Sequence, residues 1–143
     1  MSNQYSAMSN VQKGIFTTLE ADATLMAAVN NNLFDEVPDN YGNFPYIQLG
    51  EINETPENVM GSNGQGRICE QTIHIYSQAK GWQEAQNLLN YLVQDIDIGV
   101  ANVKANTAGW NVYMTLYTFG REIRDPDGTR HIVAKFQIHV GQQ

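Results

Sequence analysis

Near the start of the chain, hydrophobic side chains recur at the spacing of an amphipathic helix. The stripe consists of Met8, Val11, Ile15, Phe16 and Leu19. Side chains three or four residues apart share one face of a helix, so the pattern predicts a helix with one buried side. Ser9 and Gln12 have the spacing of a capping box near its start, and a start a few residues earlier is the alternative. Asp22 then predicts the N-cap of a second, short helix over residues 23–29, which the asparagines at 30–32 end.

Two short strands and a loop are predicted next. Residues 33–37 predict a short strand that Pro38 ends, and residues 39–43 predict a turn. Pro45 opens a second strand that extends to about Ile52, because the missing N–H of proline matters least at a strand start. Residues 53–66 have no apolar period and contain a proline and three glycines, which predicts a long loop.

A third strand and the clearest helix of the sequence follow this loop. Residues 68–78 alternate, with Cys69, Ile73 and Ile75 on one face and polar side chains on the other. The helical stripe consists of Ala85, Leu88, Leu89, Leu92, Val93 and Ile96. Gly99 stands where this helix is expected to end.

The end of the chain predicts a long β-hairpin. Residues 110–122 alternate. One expected face consists of Trp110, Val112, Met114 and Leu116, and the other consists of Tyr113, Thr115 and Tyr117. Residues 125–128, Asp-Pro-Asp-Gly, predict a tight turn, because proline presets one dihedral angle and glycine accepts positive φ. Residues 131–140 return as a strand, and its apolar face consists of Ile132, Ala134, Phe136, Ile138 and Val140.

Together these elements predict a single α+β domain that spans residues 1–143. A mostly antiparallel sheet with two main helices packed on one face would bury both helical stripes. The length of 143 residues suits one domain, and a hydrophobic content of 42% is enough for a core. The polar N-terminus has no signal-peptide character, and no apolar run approaches the roughly 18 residues of a membrane span. We therefore expect synthesis in a cytoplasm and no membrane partner.

The charge balance limits the class of partner. The chain has 15 acidic and 8 basic side chains, a net charge of −7. Proteins that are held mainly by nucleic-acid phosphates need clustered lysine and arginine, so such a partner is not expected. An acidic surface is compatible with a pore through which DNA passes without specific binding, but it is more commonly a solubility feature.

The search for catalytic and metal-binding patterns is negative, so no catalytic, cofactor-binding or metal residues are assigned. The glycines at 61–66 lack the lysine and the strand-to-helix context of a phosphate loop. His131 and His139 are expected about 26 Å apart on one strand face, and one of them could meet His74 across the sheet. Cys69, the only cysteine, is expected to be a buried thiol. Surface positions are expected for the carboxylates Asp35, Glu36, Asp95 and Asp97.

Two features are candidates for contacts with a partner. Within the loop over residues 53–66, the candidate assembly-contact segment consists of Asn58, Val59, Met60, Gly61, Ser62, Asn63 and Gly64. A segment without a core of its own is either ordered by a partner or a tolerated insertion, and both interpretations stay open. Tyr113 and Tyr117 suit a binding stripe, a cover for the sheet or a subunit interface.

Several short segments, taken in their order and spacing, carry a family resemblance. They are Leu19-Glu20-Ala21-Asp22-Ala23 with Leu25 and Val29, Phe34-Asp35 with Val37-Pro38, Phe44-Pro45-Tyr46-Ile47 with Leu49-Gly50, His74-Ile75-Tyr76-Ser77 with Gly81 and Glu84-Ala85, and Arg124-Asp125-Pro126-Asp127-Gly128 with His131. Nearly the whole chain resembles the tail-completion (tail terminator) proteins of long non-contractile-tailed phages, prophages and gene transfer agents. It departs from them at residues 58–66, where the family often has shorter or more charged sequence.

The resemblance implies a structural virion protein without catalytic residues or a cofactor. Such a subunit is added at the end of the tail tube, stops tube polymerisation and joins the tail to the head connector. It implies a homo-oligomeric ring, typically a hexamer, with the tail tube protein and the head–tail connector protein as partners. DNA would pass through the ring without being specifically bound, and the expected location is the tail of the virion.

Two other classes of function remain open. A different virion part, such as a head–tail connector stopper or a tail tube subunit, would also be a small α+β domain, and particle images separate these roles. A small enzyme or ligand-binding domain is the second class. A deep pocket with convergent polar groups would favour it.

Overall fold

The computed structural model describes residues 6–38, 41–57, 66–98, 103 and 107–142. The elements in chain order are α1 (Met8–Glu20), α2 (Ala23–Ala28), β1 (Leu33–Phe34), β2 (Tyr46–Glu57), β3 (Gly66–Ser77), α3 (Gln83–Val93), β4 (Trp110–Arg124) and β5 (Arg130–Gln142). A π-helical turn, Gln94–Ile98, extends α3. The order of helices and strands predicted from the sequence is confirmed.

The five strands of the described residues belong to one sheet, in the order β1-β2-β3-β5-β4. β1 is parallel to β2, and every other neighbouring pair is antiparallel. β4 and β5 form the predicted hairpin, and its turn is closed by hydrogen bonds of 2.9 Å from Gly128 N to Asp125 O and from Asp125 N to Thr129 O. Gly128 has a φ of 89°, a conformation that residues with a Cβ rarely adopt.

α1 and α3 pack on the same face of this sheet and bury the predicted helical stripes. The buried hydrophobic residues are Val11, Ile15 and Leu19 on α1, and Ala85, Leu88 and Leu92 on α3. They belong to one core with alternate side chains of the central strands, which are Cys69, Ile73, Ile75, Ile132, Ala134, Phe136, Ile138 and Val140. The fold is therefore α+β, with a mostly antiparallel sheet and the main helices on one face, as predicted.

The start of α1 differs from the prediction. The helix has Ala7 as its N-cap, and no side chain caps it, so the capping box predicted for Ser9 and Gln12 is wrong. Ser9 already lies inside the first turn, where it cannot occupy the N-cap. The Ala7 N–H instead donates to Glu54 Oε2 of β2 at 2.6 Å. An acceptor from a distant part of the chain therefore takes the place of the local cap.

The start of α2 is as predicted. Asp22 Oδ1 accepts hydrogen bonds from Thr24 N at 3.0 Å and from Leu25 N at 3.1 Å. Asn30 and Asn31 follow the helix with positive φ, a conformation that asparagine tolerates better than most residues. They turn the chain from the helical layer into the sheet.

The strand boundaries around the predicted loop are wrong. β1 is limited to Leu33–Phe34, which is shorter than the predicted strand, and the predicted loop over residues 53–66 is too long at both ends. Asn53 pairs with Glu70, and Glu57 pairs with Gly66. Residues 53–57 have a low strand propensity of their own, so their strand conformation depends on the pairing between β2 and β3.

Two irregularities in β4 change which side chains face the helices. Its pairing with β5 shifts register after Val112 and again after Tyr117. A bulge adds an unpaired residue, so the side chains beyond it turn to the opposite face. Met114 and Leu116 are exposed as a result, while Thr115 is buried. The faces predicted from strict alternation are therefore wrong from Met114 onward, whereas Tyr113 lies on the face opposite Val112, as predicted.

Leu88→Asp is expected to prevent folding. Leu88 is 2% exposed on the side of α3 that packs on the sheet, so the variant would bury an unpaired carboxylate at a cost of roughly 3 kcal/mol or more. Circular dichroism melting measures the effect. Asn87→Asp is the matched control, since it places the same carboxylate at an exposed position of α3 and should melt like the parent. A Leu88→Asp protein that melts close to the parent would contradict the packing of α3.

Candidate assembly surfaces

We call the side of the sheet opposite α1 and α3 the outer face. Alternate residues of β5 show the difference between the two faces. Ile132, Phe136 and the other apolar residues of this strand are buried against the helices. The residues between them are only half-buried, and they are His131, Val133, Lys135, Gln137 and His139. The outer face is therefore accessible to a partner along the length of the sheet.

A row of exposed hydrophobic side chains follows β4 on the outer face, and we call it the apolar row. Its members and their exposed fractions are Tyr113 (51%), Met114 (42%), Leu116 (37%) and Phe119 (43%). Tyr113 lies across Gly141 of β5, where any side chain would collide with the tyrosine hydroxyl. Neighbouring exposed hydrophobic side chains mark contact sites, whereas isolated ones are common on any protein.

The bulges of β4 produce this row by sending other side chains inward. Thr115 Oγ1 donates to Asp97 O at 3.2 Å, and Tyr117 N donates to Asp97 Oδ2 at 3.3 Å. The ring of Tyr117 packs on Phe136, with 5.3 Å between the centroids. Tyr113 and Tyr117 therefore lie on opposite faces, and the shared tyrosine stripe predicted from the sequence is wrong. Tyr117 covers the core, and Tyr113 stays available for contacts.

Two histidines meet across the outer face, as the sequence suggested. His74 Nδ1 and His131 Nε2 are 2.8 Å apart, so one ring donates a hydrogen bond and the other accepts it. Tyr76 stacks on His131 with 4.4 Å between the centroids. Burial lowers the pKa of both imidazoles, and repulsion from His74 lowers the pKa of His131 further. The pair is therefore neutral at pH 7, and no group of three potential metal ligands occurs among the described residues.

A pair of carboxyl groups joins the start of α2 to the π-helical turn after α3. Burial, followed by the hydrogen bond and the charge of Asp22, raises the pKa of Asp95 to about 8. The hydrogen bond from Asp95 lowers the pKa of Asp22, which also accepts the backbone N–H groups of α2. Asp95 therefore holds the shared proton at pH 7. Its expected surface position is wrong, because one of its oxygens is fully enclosed.

An open cleft of about 400 Å³ lies beside this carboxyl pair. Its other lining residues are Thr18, Ala21, Thr24, Tyr91 and Gln94. Sites for small molecules are usually concave and mainly apolar, with a few convergent polar groups. This cleft is mainly polar, so it gives no support to a ligand-binding function.

The remaining candidate side chains have structural surroundings. Asp35 and Glu36 are exposed, as expected, whereas Asp97 accepts the hydrogen bonds from β4 described above. Cys69 is buried, as expected. Burial, followed by the charge of Glu54, raises the pKa of its thiol to about 12. The thiol is therefore protonated and unreactive at neutral pH.

The predicted assembly-contact segment lies outside the described residues. It consists of Asn58, Val59, Met60, Gly61, Ser62, Asn63 and Gly64. The described chain resumes at Gly66, which pairs with Glu57 at the end of β2. The segment therefore belongs to the connection between two paired strands.

A family model described as "Tail completion protein gp17" matches residues 13–141 of this chain. The chain belongs to this family. A chain from a solved structure of the virion of a native gene transfer agent (GTA) particle has a similar fold, with a TM-score of 0.81 at 18% sequence identity. The match covers 96% of this chain and 99% of the other. A search of curated protein sequences found no match.

Membership of this family identifies the chain as a structural component of the virion tail. Its candidate functional features are therefore surfaces for contacts with other virion subunits, and the apolar row is the clearest of them. In the described part of the chain, no helix is long and apolar enough to cross a lipid bilayer.

The Asp22–Asp95 pair predicts that stability falls as the pH rises. The pKa of Asp95 is 3.8 in the unfolded chain and about 8 in the folded protein. Between these values the folded protein binds more protons than the unfolded chain, so the free energy of unfolding decreases with rising pH. In the Asp95→Asn variant the side-chain amide can still donate a hydrogen bond to Asp22, but it does not titrate. The variant should melt at a higher temperature than the parent at pH 8 and close to it at pH 4.

The measurement is the difference in melting temperature between variant and parent across this pH range, which cancels the titrations that both proteins share. Asp35→Asn is the matched control, because it neutralises an exposed carboxylate, and its difference from the parent should stay flat. An Asp95→Asn difference that is the same at every pH would show that Asp95 does not carry the shared proton.

Proposed function

We propose that this chain forms a ring, expected to contain six copies, that caps the tail tube, ends tube polymerisation and joins the tail to the head connector. Membership of the tail-completion family and the fold shared with a chain of a gene transfer agent virion support this role. The structural observation that carries the proposal is the apolar row on the outer face of β4.

The apolar row supports assembly through its energetics. A large hydrophobic side chain contributes about 1.5–3 kcal/mol when it passes from full exposure to full burial. The members of the row start half-exposed, so each contributes part of that value when a partner covers it. Several of them covered together would hold neighbouring subunits.

A ring requires that one surface of each copy binds a different surface of the next copy. The β4–β5 hairpin suits such a contact, since β4 has 15 residues and a strand of that length reaches about 50 Å. Each contact between neighbours is expected to bury on the order of 1,000 Å² or more. A hairpin of this length provides a surface of this size.

The proposed mechanism is surface complementarity, with no bond made or broken. The tail tube protein would bind one side of the ring and the head–tail connector protein the other, while DNA passes through the centre without specific binding. The net charge of −7 supports passage over binding, because proteins hold phosphates with clustered cations.

The purified protein is expected to be a ring, or a monomer that assembles as its concentration rises. Leu116→Ser combined with Phe119→Ser should weaken assembly roughly tenfold or more, because two side chains that the partner covers are lost. The melting temperature should stay close to that of the parent, since both residues are exposed. Mass measurement across a concentration series, together with negative-stain images, checks both expectations.

Ala27→Ser combined with Ala28→Ser is the matched control, because it makes two exposed apolar residues of α2 polar without touching the outer face. This control should assemble like the parent. A parent protein that is a dimer at every concentration and absent from virions would overturn the proposed function. Normal assembly of the Leu116 and Phe119 variant would exclude the apolar row from the interface.

We also propose that residues 58–64 contact a neighbouring subunit or the tube. Replacing residues 58–65 with Asn-Gly should leave the domain folded, because Glu57 and Gly66 already pair and Asn-Gly suits a two-residue hairpin connection. Tail formation in a complementation assay should be impaired. Normal tails would identify the segment as a tolerated insertion, and loss of the cooperative melt would identify it as part of the core.

A further inference from the structure

An open cleft of about 350 Å³ lies between α1 and β2, on the helical side of the sheet. Phe16 of α1 and Leu49 of β2 line it, together with Asp35, which follows β1. Unlike the polar cleft beside Asp22 and Asp95, it is mainly apolar. Pockets that bind small molecules measure roughly 300–1,000 Å³ and are also mainly apolar. The cleft is therefore large enough and apolar enough to accept one hydrophobic side chain from a partner.

Phe119, at the end of the apolar row, is a side chain of this kind. It is 43% exposed and pairs with Lys135 of β5. Lys135 lies between two buried residues of its strand, so both side chains point to the outer face. The Lys135 ammonium lies over the Phe119 ring, 5.5 Å from its centroid. A partner that covers this part of the row therefore meets an aromatic ring with a cation beside it.

The cleft and Phe119 lie on opposite sides of the sheet and near opposite edges. β4 is the strand at one edge, and β1 and β2 lie at the other. The apolar row is on the outer face, whereas the cleft is on the helical side. Because the sheet separates them, Phe119 cannot enter the cleft of its own chain and can enter only that of another copy.

We propose that Phe119 of one copy inserts into the cleft between α1 and β2 of the next copy and packs on Phe16 and Leu49. This contact rests on the ring proposed above and specifies which two surfaces form it. Because the two surfaces differ, each contact leaves a free Phe119 on one copy and a free cleft on the other. Further copies add in the same way, and the series closes into a ring when the rotation between neighbours permits it.

The aromatic ring provides most of the affinity in this contact. Aromatic side chains that fill a pocket are typical energetic centres of protein interfaces, and two phenylalanine rings attract each other when they stack offset or edge to face. Lys135 accompanies the ring and comes beside the exposed Asp35. Lys13 of α1 also lines the cleft and reduces this attraction. The charges therefore orient the contact more than they strengthen it.

Filling the cleft tests the contact. Thr17→Trp places an indole ring there, because Thr17 lines the cleft and is exposed. The indole should exclude Phe119 of the neighbouring copy and weaken assembly roughly tenfold or more, while the circular dichroism melt stays close to that of the parent. Asn90→Trp is the matched control, since it adds the same side chain at an exposed position of α3 outside the cleft, and it should assemble like the parent. The readouts are mass in solution and tail formation by complementation.

Cross-linking shows directly whether the two surfaces meet. The Asp35→Cys and Lys135→Cys proteins are mixed, or made together in the complementation assay, and the rings or tails are treated with a short bismaleimide. We expect a covalent dimer from the mixture and none from either protein alone, because each then carries its cysteine on only one of the two surfaces. Cys69 does not interfere, since it is buried. A control mixture with Asn90→Cys in place of Asp35→Cys should give no dimer.

The outcomes separate this contact from the ring itself. If the parent forms a ring but the Thr17→Trp protein assembles normally, or the mixture gives no covalent dimer, the contact is overturned and the ring stands. If Thr17→Trp loses the cooperative melt, the cross-link decides by itself. If the parent forms no ring and tails form normally without it, the proposed function fails together with this contact.

Discussion

The helices of this protein cover one face of its sheet and leave the other open, and the rest of the molecule depends on this constraint. β5 alternates between buried apolar side chains toward α1 and α3 and half-buried, mostly polar side chains on the outer face. The core is complete without the outer face. The hydrophobic side chains that β4 carries there remain exposed in the monomer, which makes the outer face the natural surface for contacts in an assembly.

The π-helical turn after α3 connects this surface to the helical layer. Asp95 in the turn shares a proton with Asp22, the N-cap of α2. Two residues later, Asp97 accepts hydrogen bonds from Thr115 and Tyr117 of β4. The contacts of Asp97 hold β4 in the bulged conformation that turns Met114 and Leu116 outward. The same turn therefore stabilises the helix junction and presents the apolar row.

Much of the fold could be predicted from the sequence, because its strongest signals are periodic. The stripe of α3 and the alternation of β5 continue without interruption, and the residues that their periods select are buried, except Leu89 and Val93, which are partly buried. The Asp-Pro-Asp-Gly turn is equally local, since its residue types set its dihedral angles. For these elements the local signal and the tertiary structure agree.

The features that escaped prediction depend on contacts between distant residues. A bulge has no local sequence signal, so alternation placed Met114 and Leu116 on the wrong face, and the apolar row could not be identified. The polar residues 53–57 are strand only because β3 pairs with them. Asp95 resembled a surface carboxylate because its partner Asp22 is distant in sequence.

Electron cryo-microscopy of the virion tests most directly whether this chain completes the tail as a ring. We expect one ring of this protein at the end of the tail tube next to the head, with the apolar row of every copy covered by a neighbouring subunit. Copies stacked along the tube, or density for this chain only at the distal tip of the tail, would contradict the proposed role.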